Sequence, residues 1–382
     1  MALTCATHAA AADDDNAVIA IDLPKTPNTF LVTVPLSGPL SPLGQYAREG
    51  AELALKMFGG GFKMEVTDEL GDVRDVLDPD ELSIVIGYFT EGRFAADAPR
   101  YLYLKKPVIL PFLTTDEAAS RGPATFFRLM PTPGEQGIFM ALEVLKMRKR
   151  PGRILIIQGA DEQQAQLAAA FAGALANPPQ PAAPPPPAKG QRAPKTPPPV
   201  RPLDSKARVI NISVSQALEP ENITEFGKNN PDLIVLAISI GEALNLAPEL
   251  ADSKWAKTQY WGGALLGFRD IGAAFSSLEL KLSILTPVVN LADGNNRATR
   301  EFVQRYLDEY QKYPTWISAL AYDSLNLAIK AASFGSSTTE FLSFLNGEAH
   351  HSLGRYEISA GGNGVFPMDF MPVNENTLGF LP

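Results

Sequence analysis

Phe30-Leu31-Val32-Thr33-Val34-Pro35, then Leu36-Ser37-Gly38-Pro39-Leu40-Ser41-Pro42-Leu43-Gly44, then the spaced apolar residues Ala47, Ala51, Leu53, Ala54 and Met57 decide the fold class. The first run is short, rich in β-formers and ended by proline, which reads as a strand. The second is a turn-rich loop, and the spacing of the third predicts a helix over 46–58. Working outward, apolar runs recur at 83–87, 107–111, 153–158, 209–214, 232–238 and 284–289. Helical spacing fills 135–147, 163–175, 297–310 and 317–332. Strands alternating with helices imply βαβ units and parallel sheets covered on both faces. There are too many strands for one small sheet, so the expectation is two Rossmann-like α/β lobes.

Composition narrows the function. The chain has 382 residues, 45% hydrophobic and 20% charged, with a mean hydropathy of −0.02, which fits a globular protein of two domains. With 33 Lys+Arg against 42 Asp+Glu the net charge is −9, which argues against nucleic acid or an anionic membrane surface as a partner. No run approaches the roughly 18 apolar residues of a spanning helix. Cys5 is the single cysteine, and the histidines are His8, His350 and His351, so neither a disulfide framework nor a zinc site is expected. No G-x-S-x-G elbow, P-loop, G-x-G-x-x-G fingerprint or HExxH helix is present. Gly59-Gly60-Gly61 follows a helix instead of opening one, so it reads as a turn and not as a phosphate cradle. The sequence thus predicts no enzyme, no catalytic residue, no metal and no cofactor.

Two segments stand apart. Residues 1–27 carry an Ala-rich run before Asp13-Asp14-Asp15, with A-x-A sites such as Ala9-Ala10-Ala11, and read as a signal remnant or a disordered arm. Between Pro178 and Pro202, twelve of twenty-five residues are proline, too many for a helix or a central strand, so an extended loop is expected. It is either an inert insertion or a docking segment. Upstream, Lys146-Met147-Arg148-Lys149-Arg150 ends a helix, where cations meet free carbonyls.

The ordered series Val34-Pro35-Leu36-Ser37-Gly38-Pro39, Gly50-Ala51-Glu52-Leu53-Ala54, Val85-Ile86-Gly87, Pro107-Val108-Ile109-Leu110-Pro111, Phe127-Arg128-Leu129-Met130-Pro131-Thr132, Pro231-Asp232-Leu233-Ile234-Val235 and Ala321-Tyr322-Asp323-Ser324 resembles type I periplasmic solute-binding proteins. The nearest branch is the branched-chain amino acid (leucine-binding-like) receptors of ABC importers. The resemblance implies two lobes joined by three crossovers, residues 28–131 plus 286–332 forming one and 132–285 plus 333–382 the other. It further implies an exported, periplasmic or otherwise extracytoplasmic protein that captures an amino acid or related small molecule in the cleft. The partners would be that ligand and the membrane subunits of an importer or another periplasmic protein, with membrane contact only through the partner.

By the same resemblance, ligand-facing positions fall on Ser37 in the opening loop, on Thr90, Glu91 and Gly92 after the strand at 83–87, and on Thr114 and Thr115 after the next strand. Glu91 stands where the family has a serine, and a carboxylate there repels a ligand carboxylate unless Arg93 compensates or Thr90 takes over the contact. In the opposite lobe the matching positions are Gln163, Glu242 as a replacement partner for a cation, and Trp261 as a cleft wall. Each has an ordinary alternative: loop hydroxyls satisfy their own backbone, acidic residues at helix starts answer the dipole, and large aromatics join the core. The family also places a helix between the strand ending near Asp68 and that at Ser83, where this chain has room for one turn at most. These departures leave a second reading open, a periplasmic interaction protein resembling the activators of peptidoglycan synthases.

Overall fold

A computed structural model describes residues 28–58, 61–71, 82–114, 125–180, 198–217, 219, 230–292, 295–334, 344, 350–353, 355–358 and 364–382. The Ala-rich start, Gly59 and Gly60, the segment after Gly71, Thr115 and the centre of the proline-rich insertion lie outside them.

The first sheet contains β1 (Thr29–Val34), β2 (Lys63–Asp68), β3 (Leu82–Gly87), β4 (Val108–Leu110) and β5 (Phe126–Arg128), in the order β2-β1-β3-β4-β5, all parallel. β1 and β3 are buried along their whole length, which is why they read as near-continuous apolar runs broken only by Thr29, Thr33 and Ser83, whereas edge strand β2 alternates. The second sheet runs β14-β10-β9-β8-β6-β7, from β6 (Arg153–Gln158), β7 (Arg208–Ser213), β8 (Leu233–Ala237), β9 (Gln259–Gly262), β10 (Lys281–Thr286) and β14 (Asp369–Pro372). Only β14 is antiparallel. Ahead of β14 in the chain a small antiparallel sheet is formed by β11 (His350–His351), β12 (Arg355–Ile358) and β13 (Gly364–Val365).

Helices cover both sheets: α1 (Ser41–Phe58), α2 (Glu91–Leu104), α3 (Pro133–Lys146), α4 (Glu162–Ala176), α5 (Ile240–Asp252), α6 (Arg269–Ser277), α7 (Arg297–Tyr310) and α8 (Trp316–Phe334). α1 starts five residues before the predicted span, because Pro42 in the first turn needs no intrahelical N–H partner. β10 ends at Thr286 and not beyond, since Pro287 cannot continue the ladder.

The chain leaves the first sheet after β5, returns after β10 to lay α7 and α8 against α1, and crosses again to add β14 to the second sheet. These are the three crossovers. α1 and α8 touch at Gly50, where a Cβ would lie 2.0 Å from the Ser318 carbonyl oxygen. The last crossover is tied to α8 by buried Asp323, which accepts from the Tyr356 hydroxyl at 2.7 Å and the Leu353 N–H at 3.0 Å.

The two ends of the proline-rich insertion meet. Gln180 donates to the Val200 carbonyl and accepts from the Val200 N–H, both at 3.0 Å. Arg150 donates to the Leu145 carbonyl at 3.0 Å, as expected at the end of α3, and to the Pro202 carbonyl at 3.0 Å.

Candidate functional site

The C-terminal ends of both parallel sheets face a cleft of about 380 Å³. From the first lobe come Leu43 at the start of α1, Phe89, Thr90 and Glu91 after β3, Phe112, Leu113 and Thr114 after β4, and Met130 after β5. From the second come Gln163 in the first turn of α4, and Ala264, Leu265 and Phe268 after β9. Trp316 and Ile317 at the start of α8 complete the lining. Strand ends in a parallel sheet leave loops and helix starts around such a crevice, the ordinary place for a small ligand in this architecture.

Aromatic pairs dominate the walls. Phe89 stacks on Phe112 with ring centroids 4.1 Å apart. Phe268 meets Trp316 edge to face at 6.3 Å, and the Trp316 indole is anchored by donating to the Gly267 carbonyl at 2.9 Å. None of these four was singled out in the sequence. For Phe89 and Phe112 the available signal was their position immediately after strands; Phe268 and Trp316 lack even that, and nothing in local periodicity tells a cleft aromatic from a core one.

The turn between β3 and α2 is built for close approach. Gly87 (φ 143°) and Tyr88 (φ 70°) both have positive φ, and a Cβ on Gly87 would lie 1.9 Å from the Thr33 carbonyl oxygen. Tyr88 is fully buried; its hydroxyl lies 2.6 Å from that of Tyr101 and donates to Asp97 at 3.1 Å. Burial, with the Tyr101 and Asp97 contacts, pushes the Tyr88 hydroxyl far above its usual range. The next two N–H groups, Phe89 and Thr90, are both accepted by the buried Glu69 carboxylate, at 2.9 and 2.7 Å. Asp68 accepts from the Leu36 N–H at 3.0 Å. Partial burial raises the Asp68 carboxyl, but the Ser37 hydroxyl and the backbone N–H groups outweigh it and hold the group below its usual value.

Of the residues read from the sequence, Thr90, Glu91, Thr114 and Gln163 lie together on the cleft. Ser37 serves Asp68 instead. Gly92 is exposed in the first turn of α2. Glu242 closes the capping box of α5, accepting from the Ser239 N–H and hydroxyl at 2.8 Å each. Trp261 is not a wall: it is 6% exposed in the second-lobe core, 4.2 Å from the Phe370 ring. Arg93 does not compensate Glu91, because it is bound to Asp97 at 3.3 Å and to the Gly71 carbonyl.

Below the cleft lies a smaller space of about 10 Å³, lined by Thr114, Gln136, Gln163 and Gln164 among others, with room for about one water. Gln136 spans from α3 to the second lobe's cleft loop, donating to the Pro131 carbonyl at 3.1 Å and accepting from the Ala264 N–H at 3.0 Å.

No protein-family model matches the sequence, and a comparison with curated proteins returns no relative. Solved structures do match. An ABC transporter substrate-binding protein from Desulfitobacterium hafniense, in complex with Leu, is 16% identical with a TM-score of 0.65, over 91% of this chain and 98% of that one. The branched-chain amino acid transporter substrate-binding protein LivJ from Streptococcus pneumoniae, in complex with isoleucine, is 17% identical with a TM-score of 0.64, over 91% and 96%. A solute-binding protein from R. palustris, in complex with benzoate, is 17% identical with a TM-score of 0.59, over 93% and 94%. Two α/β lobes, three crossovers and near-complete mutual coverage give this chain the fold of the type I periplasmic solute-binding proteins.

Proposed function

We propose that the protein captures a small organic molecule between its lobes and delivers it to an ABC importer. The observation that carries this reading is the cleft of about 380 Å³, to which both lobes and the start of α8 contribute walls. It falls within the roughly 300–1,000 Å³ range of ligand sites, and its apolar lining with few polar groups is of the usual kind. Hinge closure of such lobes buries the solute and changes the outer surface, which is how a receptor signals occupancy to a transporter. The transporter-associated proteins that share the fold support the importer role, and with it an extracytoplasmic location. The chemistry is binding, not catalysis.

The test is a thermal-shift screen on protein stripped of co-purified ligand by unfolding and refolding. The library holds amino acids, short peptides, aromatic acids, nucleobases, amines and alcohols. A ligand at about a hundred times its Kd adds about 2.7 kcal/mol and raises the midpoint by several degrees. A hit that mutation of Phe112 or Trp316 removes supports the reading. A well-folded protein that responds to nothing counts against it.

A second reading draws on the exposed leucines of the first lobe. Leu36, Leu40 and Leu70 are 37%, 41% and 62% exposed, with Leu70 against Gly38. Such a lip suits contact with a protein partner, either the importer or, in a periplasmic interaction protein, another target.

A further inference from the structure

We infer that the cleft selects an apolar organic amine and discriminates against carboxylates, including the zwitterions of amino acids. This inference rests on the cleft being a solute site and names the class of solute. Among the described lining residues Glu91 is the one charged group, and no Lys, Arg or His joins it. The nearby cation, Arg93, is bound to Asp97 and the Gly71 carbonyl. The positive end of α2, the natural receiver of an anion, already has two protein carboxylates: Glu69 on the Phe89 and Thr90 amides, and Glu91 in the first turn. A ligand carboxylate placed here meets like charge and finds no counter-ion among the described lining residues.

A protonated amine meets the opposite conditions. Glu91 supplies an anionic partner, and the Phe89–Phe112 and Phe268–Trp316 pairs supply ring faces that attract a cation and pack an apolar body. The space of about 380 Å³ is more than twice the ~150 Å³ of an apolar cavity that holds benzene, so the body is larger than one ring alone. Thr90, Thr114 and Gln163 leave hydrogen-bonding capacity for a further polar group.

The test is calorimetric titration of the stripped full-length chain with four probes of similar size: 4-phenylbutylamine, 4-phenylbutanol, 4-phenylbutyrate and phenylalanine. The amine is expected to bind about tenfold tighter than the alcohol, and both tighter than the acid and the amino acid. Glu91→Gln is expected to remove that tenfold advantage, so that the amine and the alcohol bind about equally, while the melting temperature of the free protein reports that the fold is kept. Tighter binding of 4-phenylbutyrate or phenylalanine overturns the ligand class while the cleft remains a solute site. An amine that does not bind overturns it too, and the broad screen then decides the receptor reading separately. Unchanged amine affinity in Glu91→Gln removes Glu91 as the selecting group.

Discussion

Tyr356 donates a 2.7 Å hydrogen bond to Asp323, and both side chains are fully buried. The bond joins the middle of α8 to the strand that follows the last return of the chain toward the second lobe. Burial and the adjoining Asp323 carboxylate push the Tyr356 hydroxyl well above its usual range, so it stays a donor. Asp323→Ala leaves this hydroxyl and the Leu353 N–H without their acceptor, at a cost of about 2–4 kcal/mol. Tyr356→Phe is expected to cost about 1.5–3 kcal/mol. Urea unfolding midpoints check both, and the double variant should cost less than the sum of the singles. Full additivity would show that the pair is not coupled.

Gly50→Ala tests the contact between α1 and α8. The new methyl would stand 2.0 Å from a backbone oxygen, which cannot rotate away as a side chain can. Helix propensity favours alanine by about 1 kcal/mol, but the forced separation of the helices outweighs it. A net loss of about 1–3 kcal/mol is expected in thermal or urea melts. A stabilised variant would mean that the helices part without penalty.

Alkaline pH should unfold the protein through its tyrosines. Burial pushes the Tyr101 and Tyr322 hydroxyls up to about 12, and drives Tyr88, Tyr260 and Tyr306 higher still. A folded value raised above the unfolded value near 10 gives stability that is full below about pH 10 and is lost as pH climbs through the folded values. The melting temperature should therefore fall steadily above about pH 10. Tyrosinate absorbance from these buried residues should appear together with loss of circular dichroism. Complete tyrosinate formation in a still-folded protein would contradict this.

Tryptophan fluorescence should report the cleft from one residue. Of the three tryptophans, Trp316 lines it, while Trp255 and Trp261 are buried in the second lobe. Binding of 4-phenylbutylamine should shift the emission, and Trp316→Phe should abolish the shift while retaining much of the apolar wall. A shift that survives in Trp316→Phe would place the bound molecule elsewhere.

The scaffold was legible where apolar pattern and secondary structure coincide. The strand at Arg153–Gln158 and the helix at Arg297–Tyr310 match their predicted spans, because a buried parallel strand and an amphipathic helix leave unambiguous patterns. The span of α2 went unread and α5 was read only at its start, at Glu242, because Pro99 and Pro248 lie inside them; both helices tolerate the lost N–H within the packed fold. That Thr90, Glu91, Thr114 and Gln163 line the cleft could be read from the sequence because each follows a strand. Trp316 was not, since it reaches the cleft from a helix start that only the third dimension brings there. Glu242 and Trp261 were misplaced for the opposite reason: a capping carboxylate and a core ring look the same in sequence as ligand contacts.

The clasp between Gln180 and Val200 fixes the separation of two chain points on the second lobe independently of what joins them. A flexible insert placed between these points costs only about 0.6 kcal/mol of closure entropy for each doubling of its length, so the clasp sets few demands on the length of what is spliced in. The position therefore behaves as a socket. A reporter domain with adjacent termini could be spliced there and carried by the lobe, where it would turn the proposed solute capture into an optical signal without altering a cleft residue.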